Sequence, residues 1–141
     1  MSGLKKKSVL VPIDFSELSY EAIAPAKDYV DEISSLTLIH VLAPLHPADP
    51  AAIWNTLSDD DRKQKVQEFL HTKMGELGYK GIQTVVEIGD PGSKIAEYAK
   101  EVTADLIVMP SHGRQGISHF LIDSVAEQIV RLSPCPVLVL K

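Results

Sequence analysis

The sequence predicts a three-layer α/β fold in which helices cover both faces of a parallel β-sheet. Five short apolar runs rich in β-branched residues recur along the 141 residues, at 8–14, 36–42, 82–88, 105–110 and 136–141. Most of them are continuously apolar instead of alternating, which is typical of strands buried on both faces. Segments of helical periodicity separate these runs, so strand and helix alternate through the whole chain.

The chain between the first two strands predicts one helix over 16–33. Apolar residues recur there at helical spacing and form one stripe: Ala22, Ile23, Ala26, Tyr29, Val30 and Ile33. Pro25 lies within this helix and has no N–H to donate to the carbonyl of Glu21. We therefore expect a kink at Pro25 within a continuous helix.

A second helix is predicted over 59–77, with signals at both ends. Ser58 and Asp61 have the spacing of a capping box, and Gly78 is placed to end the helix. One stripe of this helix should face the core, formed by Val66, Phe69, Leu70, Met74 and Leu77.

Two shorter helices are predicted over 93–102 and 124–132. The residues of the first that should face inward are Ile95, Ala96 and Ala99. Ser124 and Glu127 have capping-box spacing, so the last helix should begin at Ser124. The residues on its adjoining inner faces are Val125, Gln128, Ile129 and Leu132.

The longest irregular stretch covers 43–57 and contains Trp54, the only tryptophan. Long loops in compact domains are often functional. This loop follows the second strand, so it should lie at the carboxyl edge of the sheet, where open α/β folds bind ligands. Two interpretations stay open: a lid over a ligand, or a loop whose Trp54 covers the core.

Composition predicts a single soluble domain over 1–141. The chain is 45% hydrophobic and 23% charged, and its net charge of −5 gives no overall attraction to nucleic acid. Cys135 is the only cysteine, which excludes an intrachain disulfide and fits the reducing cytoplasm. No apolar run reaches the roughly 18 to 20 residues of a membrane helix, so we expect no membrane insertion.

Candidate ligand-binding residues follow the first and fourth strands. Asp14 ends the first run, Ser111, His112 and Gly113 follow the fourth, and Ser124 stands at the predicted start of the next helix. The carboxyl ends of parallel strands meet at one edge, and a helix N-terminus is a general anion site. Neither a Walker loop nor a dinucleotide-binding Gly-x-Gly-x-x-Gly is present.

The order of motifs along the chain is more specific than any single motif. The sequence contains VPIDFSELSYEA at 11–22, IHVL at 39–42, GDPGSKIAEYA at 89–99, DLIVMPSHGRQG at 105–116, DSVAEQIV at 123–130 and SPCPVLVL at 133–140. In this order they resemble the universal stress protein family over nearly the whole chain. The resemblance implies a flavodoxin-like or Rossmann-like fold of the adenine nucleotide alpha hydrolase type, with a five-stranded parallel sheet of order 3-2-1-4-5.

The resemblance also implies a regulatory module of the stress response that binds an adenine nucleotide, ATP, ADP or AMP. Asp14 and Val41 would then contact the adenosine, with Met109 nearby. Gly113, Ser124 and Val125 would face the phosphates. Independently of the resemblance, we expect His112 to fix the loop by a hydrogen bond. The complete candidate site, by this resemblance, is Pro12, Asp14, Val41, Met109, Pro110, His112, Gly113, Asp123, Ser124 and Val125.

Two residues depart from the glycine motif of that family. Pro110 stands at the first glycine and removes a backbone donor, and Asp123 stands at the third. A carboxylate about 5 Å from a phosphate charge costs roughly 3 kcal/mol at an effective dielectric near 20. The favourable interaction of a phosphate with a helix N-terminus is worth only about 0.3–1 kcal/mol, and up to about 2 kcal/mol. A carboxylate pointing at the phosphates would therefore lower affinity by roughly two orders of magnitude.

Three interpretations of Asp123 stay open. In the first, its side chain turns away and the nucleotide binds. In the second, it caps the last helix together with Ser124, as an internal phosphate mimic in a nucleotide-independent interaction protein. In the third, it holds Mg²⁺ or Mn²⁺ against a triphosphate together with Asp14. No general base is evident, so we expect no catalytic residue and at most slow ATP hydrolysis.

The last apolar run, 136–140, predicts self-association. With the strand order that the resemblance implies, this strand is an exposed edge of the sheet. A flat hydrophobic edge invites pairing with another chain, and antiparallel contact of two copies would bury it. We expect a homodimer through 136–140 that recruits a protein partner, whose identity the sequence does not specify.

Overall fold

The protein folds around one five-stranded parallel sheet. The computed structural model describes residues 6–44, 58–110 and 117–140, with the backbone alone for 117–124. The sheet order is β3-β2-β1-β4-β5. Its strands are β1 (Val9–Pro12), β2 (Leu36–Leu42), β3 (Gln83–Ile88), β4 (Leu106–Pro110) and β5 (Val137–Leu140), and all neighbouring pairs are parallel. The predicted fold class and strand order are confirmed.

Helices cover both faces of this sheet and complete the three layers. They are α1 (Glu17–Glu21), α2 (Ile23–Lys27), α3 (Asp59–Glu76), α4 (Pro91–Glu101) and α5 (Ile117–Leu132), and a short 3₁₀ turn at Ile33–Ser35 precedes β2. Successive side chains of a strand point to opposite faces. Val9 and Val11 accordingly join the core under α2 and α3, whereas Leu10 joins the core under α4 and α5.

The segment predicted as one kinked helix over 16–33 forms two short helices instead. Ser16 caps α1, and its side chain accepts a hydrogen bond from the N–H of Ser19. The chain turns at Ala22 and resumes as α2, in which Pro25 occupies the first turn. A proline is tolerated there, because its missing N–H would have no helical partner. The backbone of Ala22 itself stays helical (φ −70°, ψ −18°), and the interruption lies beside the carbonyl of Glu21, which Pro25 leaves without a helical donor.

The helix predicted over 59–77 is α3, and both of its end signals are confirmed. Ser58 and Asp61 form the capping box. Gly78 has a φ of 86°, and the N–H of Tyr79 donates to the carbonyl of Met74 at 2.7 Å, the pattern of a Schellman motif. The predicted inner stripe is too wide, because Phe69 is 54% exposed and Leu77 43%. Within that stripe Leu70 and Met74 are buried and Val66 is partly buried.

The last two helices begin earlier than predicted. Asp90 caps α4, with proline at the first helical position, so the helix starts at Pro91 instead of Ser93. Helix α5 starts at Ile117, which makes Asp123 and Ser124 its seventh and eighth residues. The predicted start and capping box at Ser124 are therefore wrong, since apolar residues at helical spacing continue upstream of it. Ile129 is buried as predicted, whereas Leu132 is 46% exposed.

Candidate functional site

A cleft opens between β1 and β4, where the strand order reverses. The β1–β2 ladder continues to Pro12, but pairing of β1 with β4 stops at Leu10. The N–H of Ile13 donates to β2 at 2.9 Å, so the residue before it, Pro12, is directed toward β4. Because a proline has no N–H to donate, the ladder to β4 ends there and the two strands separate.

The cleft offers an apolar surface with few polar groups at the carboxyl ends of β1, β2 and β4. It encloses about 580 Å³ of empty space, part of it open to solvent. Such positions at a topological switch point are where open α/β sheets bind ligands. The lining residues are Pro12, Ile13, Asp14, Ser19, Ile39, His40, Val41, Pro91, Ile95, Met109, Pro110 and Val125.

The structure brings six of the ten predicted site residues together in this cleft: Pro12, Asp14, Val41, Met109, Pro110 and Val125. His112 and Gly113 lie outside the described residues, as does Trp54 with most of its loop. Asp123 and Ser124 lie in α5, one and two positions before Val125, and only their backbone is described. The binding role of all ten residues stays a prediction.

Half of the residues that line the cleft were not predicted from the sequence. Pro91 and Ile95 come from α4, which the GDP turn at 89–91 directs over the carboxyl ends of the strands. Ile39 points to the same face of β2 as Val41, so the two-residue period of a strand could have identified it. Ser19 and His40 enter the cleft only through the fold of the turn after β1, which no local pattern predicts.

Asp14 stands in a tight turn that the chain holds from several sides. Its Oδ1 accepts hydrogen bonds from the N–H and the hydroxyl of Ser16, and its own N–H donates to Ser19 Oγ at 3.4 Å. Its Oδ2 has no hydrogen-bond partner among the residues that the structure describes. Phe15, the next residue, has a φ of 67°. This left-handed conformation costs a non-glycine residue roughly 1–2 kcal/mol, so the turn is held against backbone strain.

The ring of His40 lies against this turn. Its Nδ1–H donates to the carbonyl of Ile13 at 2.6 Å, and its centroid is 4.3 Å from that of Phe15. Phe15 also meets Phe69 edge to face, with 5.6 Å between centroids. Burial lowers the pKa of His40 below its ordinary value, while the bond to Ile13 and the charge of Asp14 act in the opposite direction.

We expect His40 to titrate below pH 6.5 in an NMR titration of the folded protein. Because its pKa is lowered on folding, the unfolded chain takes up the proton first as the pH falls. The stability that neutral His40 contributes is therefore complete above pH 6.5 and is lost as the pH falls through the folded pKa. Between pH 5 and 8, urea unfolding should give free energies of unfolding for wild type and His40→Asn that become more similar as the pH falls. A pKa of His40 above 6.5 in the folded protein would contradict this.

Helices α4 and α5, which carry the far wall of the cleft, are joined by Gln128. Its Nε2 donates to Asp90 Oδ2 at 2.9 Å and to Ser93 Oγ at 3.3 Å. Asp90 Oδ2 also accepts from the N–H of Ser93 at 3.2 Å. The bonds from Ser93, together with the bond from Gln128, lower the pKa of Asp90. Gly92 is buried directly under the Gln128 side chain.

Two further properties limit the chemistry of the described part of the chain. Among residues 6–44, 58–110 and 125–140, no three His, Cys, Asp or Glu side chains are placed to hold a metal ion. No described helix combines the length and the apolar character that crossing a bilayer requires. The described lining of the cleft is mainly apolar, and the carboxylate of Asp14 is one of its few polar groups.

Fold and cleft together define a class of parallel α/β proteins with a ligand cleft at the strand-order reversal. The model of the universal stress protein family matches residues 6–141. The chain therefore belongs to the universal stress protein family.

Three relatives show how far the likeness extends. The universal stress protein MJ0531 of Methanocaldococcus jannaschii is 34% identical over 141 residues, covering 96% of this chain and 82% of that protein. The solved structure of MJ0577, from the same organism, is 27% identical with a TM-score of 0.70, over 96% of this chain and 95% of that one. A universal stress protein solved in complex with cAMP is 25% identical with a TM-score of 0.61, over 96% and 97%.

Proposed function

We propose that this protein is a single-domain regulatory module of the stress response that binds an adenine nucleotide in the cleft between β1 and β4. The observation that carries the proposal is the apolar cleft itself, with the Asp14 carboxylate at its rim. A relative of the same fold has been solved in complex with cAMP, which supports an adenine nucleotide over other ligands. We also propose that the protein is located in the cytoplasm, as the sequence predicts.

The described lining fits the base and the sugar of such a ligand. Val41, Met109 and Val125 offer aliphatic contacts to a purine, and burial of apolar surface is the main source of affinity in pockets of this kind. Oδ2 of Asp14 is our candidate acceptor for a ribose hydroxyl. Gly113 and the first turn of α5 are our candidates for the phosphates, since helix N-termini attract anions.

Asp123 decides between this function and a nucleotide-independent one. Calorimetric titration of stripped protein with ATP or AMP, with and without Mg²⁺ or Mn²⁺, tests the proposal directly. The same titration of Asp123→Asn removes the charge and avoids the roughly 1 kcal/mol cost of a glycine inside helix α5. We expect wild type to bind nucleotide. The affinity of Asp123→Asn should be at most about tenfold higher, a difference no larger than the free energy of one charge-assisted contact.

Two other outcomes would overturn nucleotide binding as the function of the natural protein. Binding by Asp123→Asn alone would mean that the charge of Asp123, in the second turn of α5, excludes the phosphates and that the protein acts through a partner. Binding by neither at millimolar nucleotide would reject the site altogether. A requirement of wild-type binding for Mg²⁺ or Mn²⁺ would support a cation between Asp14 and Asp123.

We further propose that the protein is a homodimer through 136–140. Strand β5 is the edge of the sheet next to β4, and Val139 on it is 36% exposed. An exposed apolar edge strand pairs readily with a second copy.

Val139→Lys should therefore give a monomeric mass in sedimentation equilibrium at tens of micromolar, where wild type gives a dimer. Lysine on an edge strand opposes pairing with another strand. Leu77→Lys is the matched control, because Leu77 is also exposed but ends α3, which packs on β3 at the opposite edge through Gln67 and Thr84. A monomeric wild type would reject the dimer.

A further inference from the structure

His40 contacts both residues that flank Asp14. Its Nδ1–H donates to the Ile13 carbonyl at 2.6 Å, and its ring contacts that of Phe15 at 4.3 Å between centroids, with the two planes tilted by 43°. We propose that His40 is a positioning residue of the nucleotide site, which sets the place of the Asp14 carboxylate by holding Ile13 and Phe15. This proposal rests on the proposed function and names a residue that acts through another one.

The turn needs such a support because its backbone is strained. Phe15 adopts a φ of 67°, which residues with a side chain rarely do. A strained conformation persists only where its surroundings over-determine it. Ser16 holds the Asp14 side chain, and the N–H of Ile13 is held by β2 at 2.9 Å. His40 adds the bond to the Ile13 carbonyl and the ring against Phe15.

The same contacts define the state of the imidazole. The carbonyl of Ile13 is an acceptor, so Nδ1 carries the proton and, in the neutral ring, Nε2 is an acceptor. A metal-binding role is not supported, since no cluster of metal-ligating side chains surrounds His40 among the described residues. The contacts of His40 thus point to the geometry of the turn after β1.

Two variants of His40 separate its hydrogen bond from its bulk. His40→Leu fills much of the space but cannot donate, whereas the amide N–H of His40→Asn stands near the position of Nδ1 and can donate to Ile13. His71→Leu is the matched control, because His71 is exposed on α3 and away from the cleft. Affinity for AMP is measured by calorimetry, and the backbone amide resonances of Asp14, Phe15 and Ser16 are recorded by NMR.

We expect His40→Leu to bind AMP about tenfold more weakly, the worth of one hydrogen bond, and His40→Asn to return within about threefold of wild type. The three amide resonances should move further from wild type in His40→Leu than in His40→Asn, because both variants lose the ring current of the imidazole but only His40→Leu loses the bond to Ile13. His71→Leu should change neither readout. Unchanged affinity and resonances in His40→Leu would overturn the proposal. So would equal losses in His40→Leu and His40→Asn, which would mean that only the volume of the ring matters.

Failure of this inference is distinguishable from failure of the proposed function. If wild type binds no nucleotide, the proposed function is rejected, while the amide resonances still report whether His40 holds the turn. If His40→Leu does not fold, Phe15→Leu serves instead, because it removes the ring contact and keeps the bond to Ile13. It should shift the Asp14 amide resonance and weaken AMP binding by no more than about threefold, as His40→Asn does, because both variants lose only the ring contact. An unchanged resonance together with an unchanged affinity would overturn the role of the ring.

Discussion

Replacing Asp14 by asparagine should weaken binding of AMP and ATP roughly 10- to 150-fold. A hydrogen bond to a charged group is worth about 1.5–3 kcal/mol, and every 1.4 kcal/mol is a factor of ten. Asparagine keeps an oxygen that can accept from the N–H of Ser16, so the turn after β1 should persist. The loss then reports on the carboxylate charge beside the cleft. Calorimetry with both nucleotides measures it.

Asp105→Asn is the matched control for this experiment. Asp105 is also a carboxylate that accepts two backbone N–H groups, from Lys7 at 2.8 Å and Ser8 at 3.2 Å. It precedes β4 and therefore stands at the amino edge of the sheet, away from the cleft. Its variant should bind nucleotide like wild type. Equal affinities of Asp14→Asn and wild type would reject Asp14 as a ligand-binding residue.

Gly92→Ala should destabilise the protein by roughly 1–2 kcal/mol, about the worth of the two Gln128 hydrogen bonds that the added methyl group would displace. A methyl group on Gly92 would stand 2.7 Å from Cγ of Gln128, closer than van der Waals contact allows. Gln128 would have to move, which breaks its bonds to Asp90 and Ser93 and loosens α5 from α4. Urea unfolding measures the free energy, and nucleotide affinity should fall too, because both helices line the cleft.

Two controls make this prediction specific. Gly75→Ala lies within α3 with no atom within 4 Å of the added methyl group, and it should stabilise by roughly 0.4–1 kcal/mol. In a Gln128→Ala background the clash disappears, so Gly92→Ala should then cost little, and the double-mutant cycle isolates the contact. A Gly92→Ala protein as stable as wild type would contradict the packing described for α4 and α5.

The strands were predictable because each is a short run rich in β-branched residues, bounded by polar or glycine-containing turns. The bounds of β2 match the run 36–42, β3 and β4 begin one residue later than their runs and end where the runs end, and β1 and β5 differ from their runs by one or two residues at each end. Strand order came from the family resemblance instead, since apolar runs contain no information about which strands are neighbours. Helix starts were less predictable. Helix α4 begins after the cap Asp90, with Pro91 at its first position, and not at Ser93. Helix α5 follows the apolar spacing that continues upstream of Ser124, and not the capping-box spacing of Ser124 and Glu127.

The candidate site was half predictable, for a physical reason. Asp14, Val41 and Met109 lie at or just beyond strand ends, and parallel strands bring their carboxyl ends to one edge whatever the rest of the chain does. His40 and Ser19 depend on the turn after β1, whose left-handed Phe15 no propensity predicts. Such contacts are set by tertiary structure, and a single sequence does not contain them in local form.

The position of β1 in the sheet has a consequence for synthesis on the ribosome. Val9 pairs with Leu36 on one side but with Leu106, near the other end of the chain, on the second side. Until β4 has left the ribosome, one hydrogen-bonding edge of the central strand β1 stays open. Non-local parallel pairing is slow, and open strand edges favour aggregation of nascent chains. We therefore expect the nascent chain to be most prone to aggregation before β4 is synthesised.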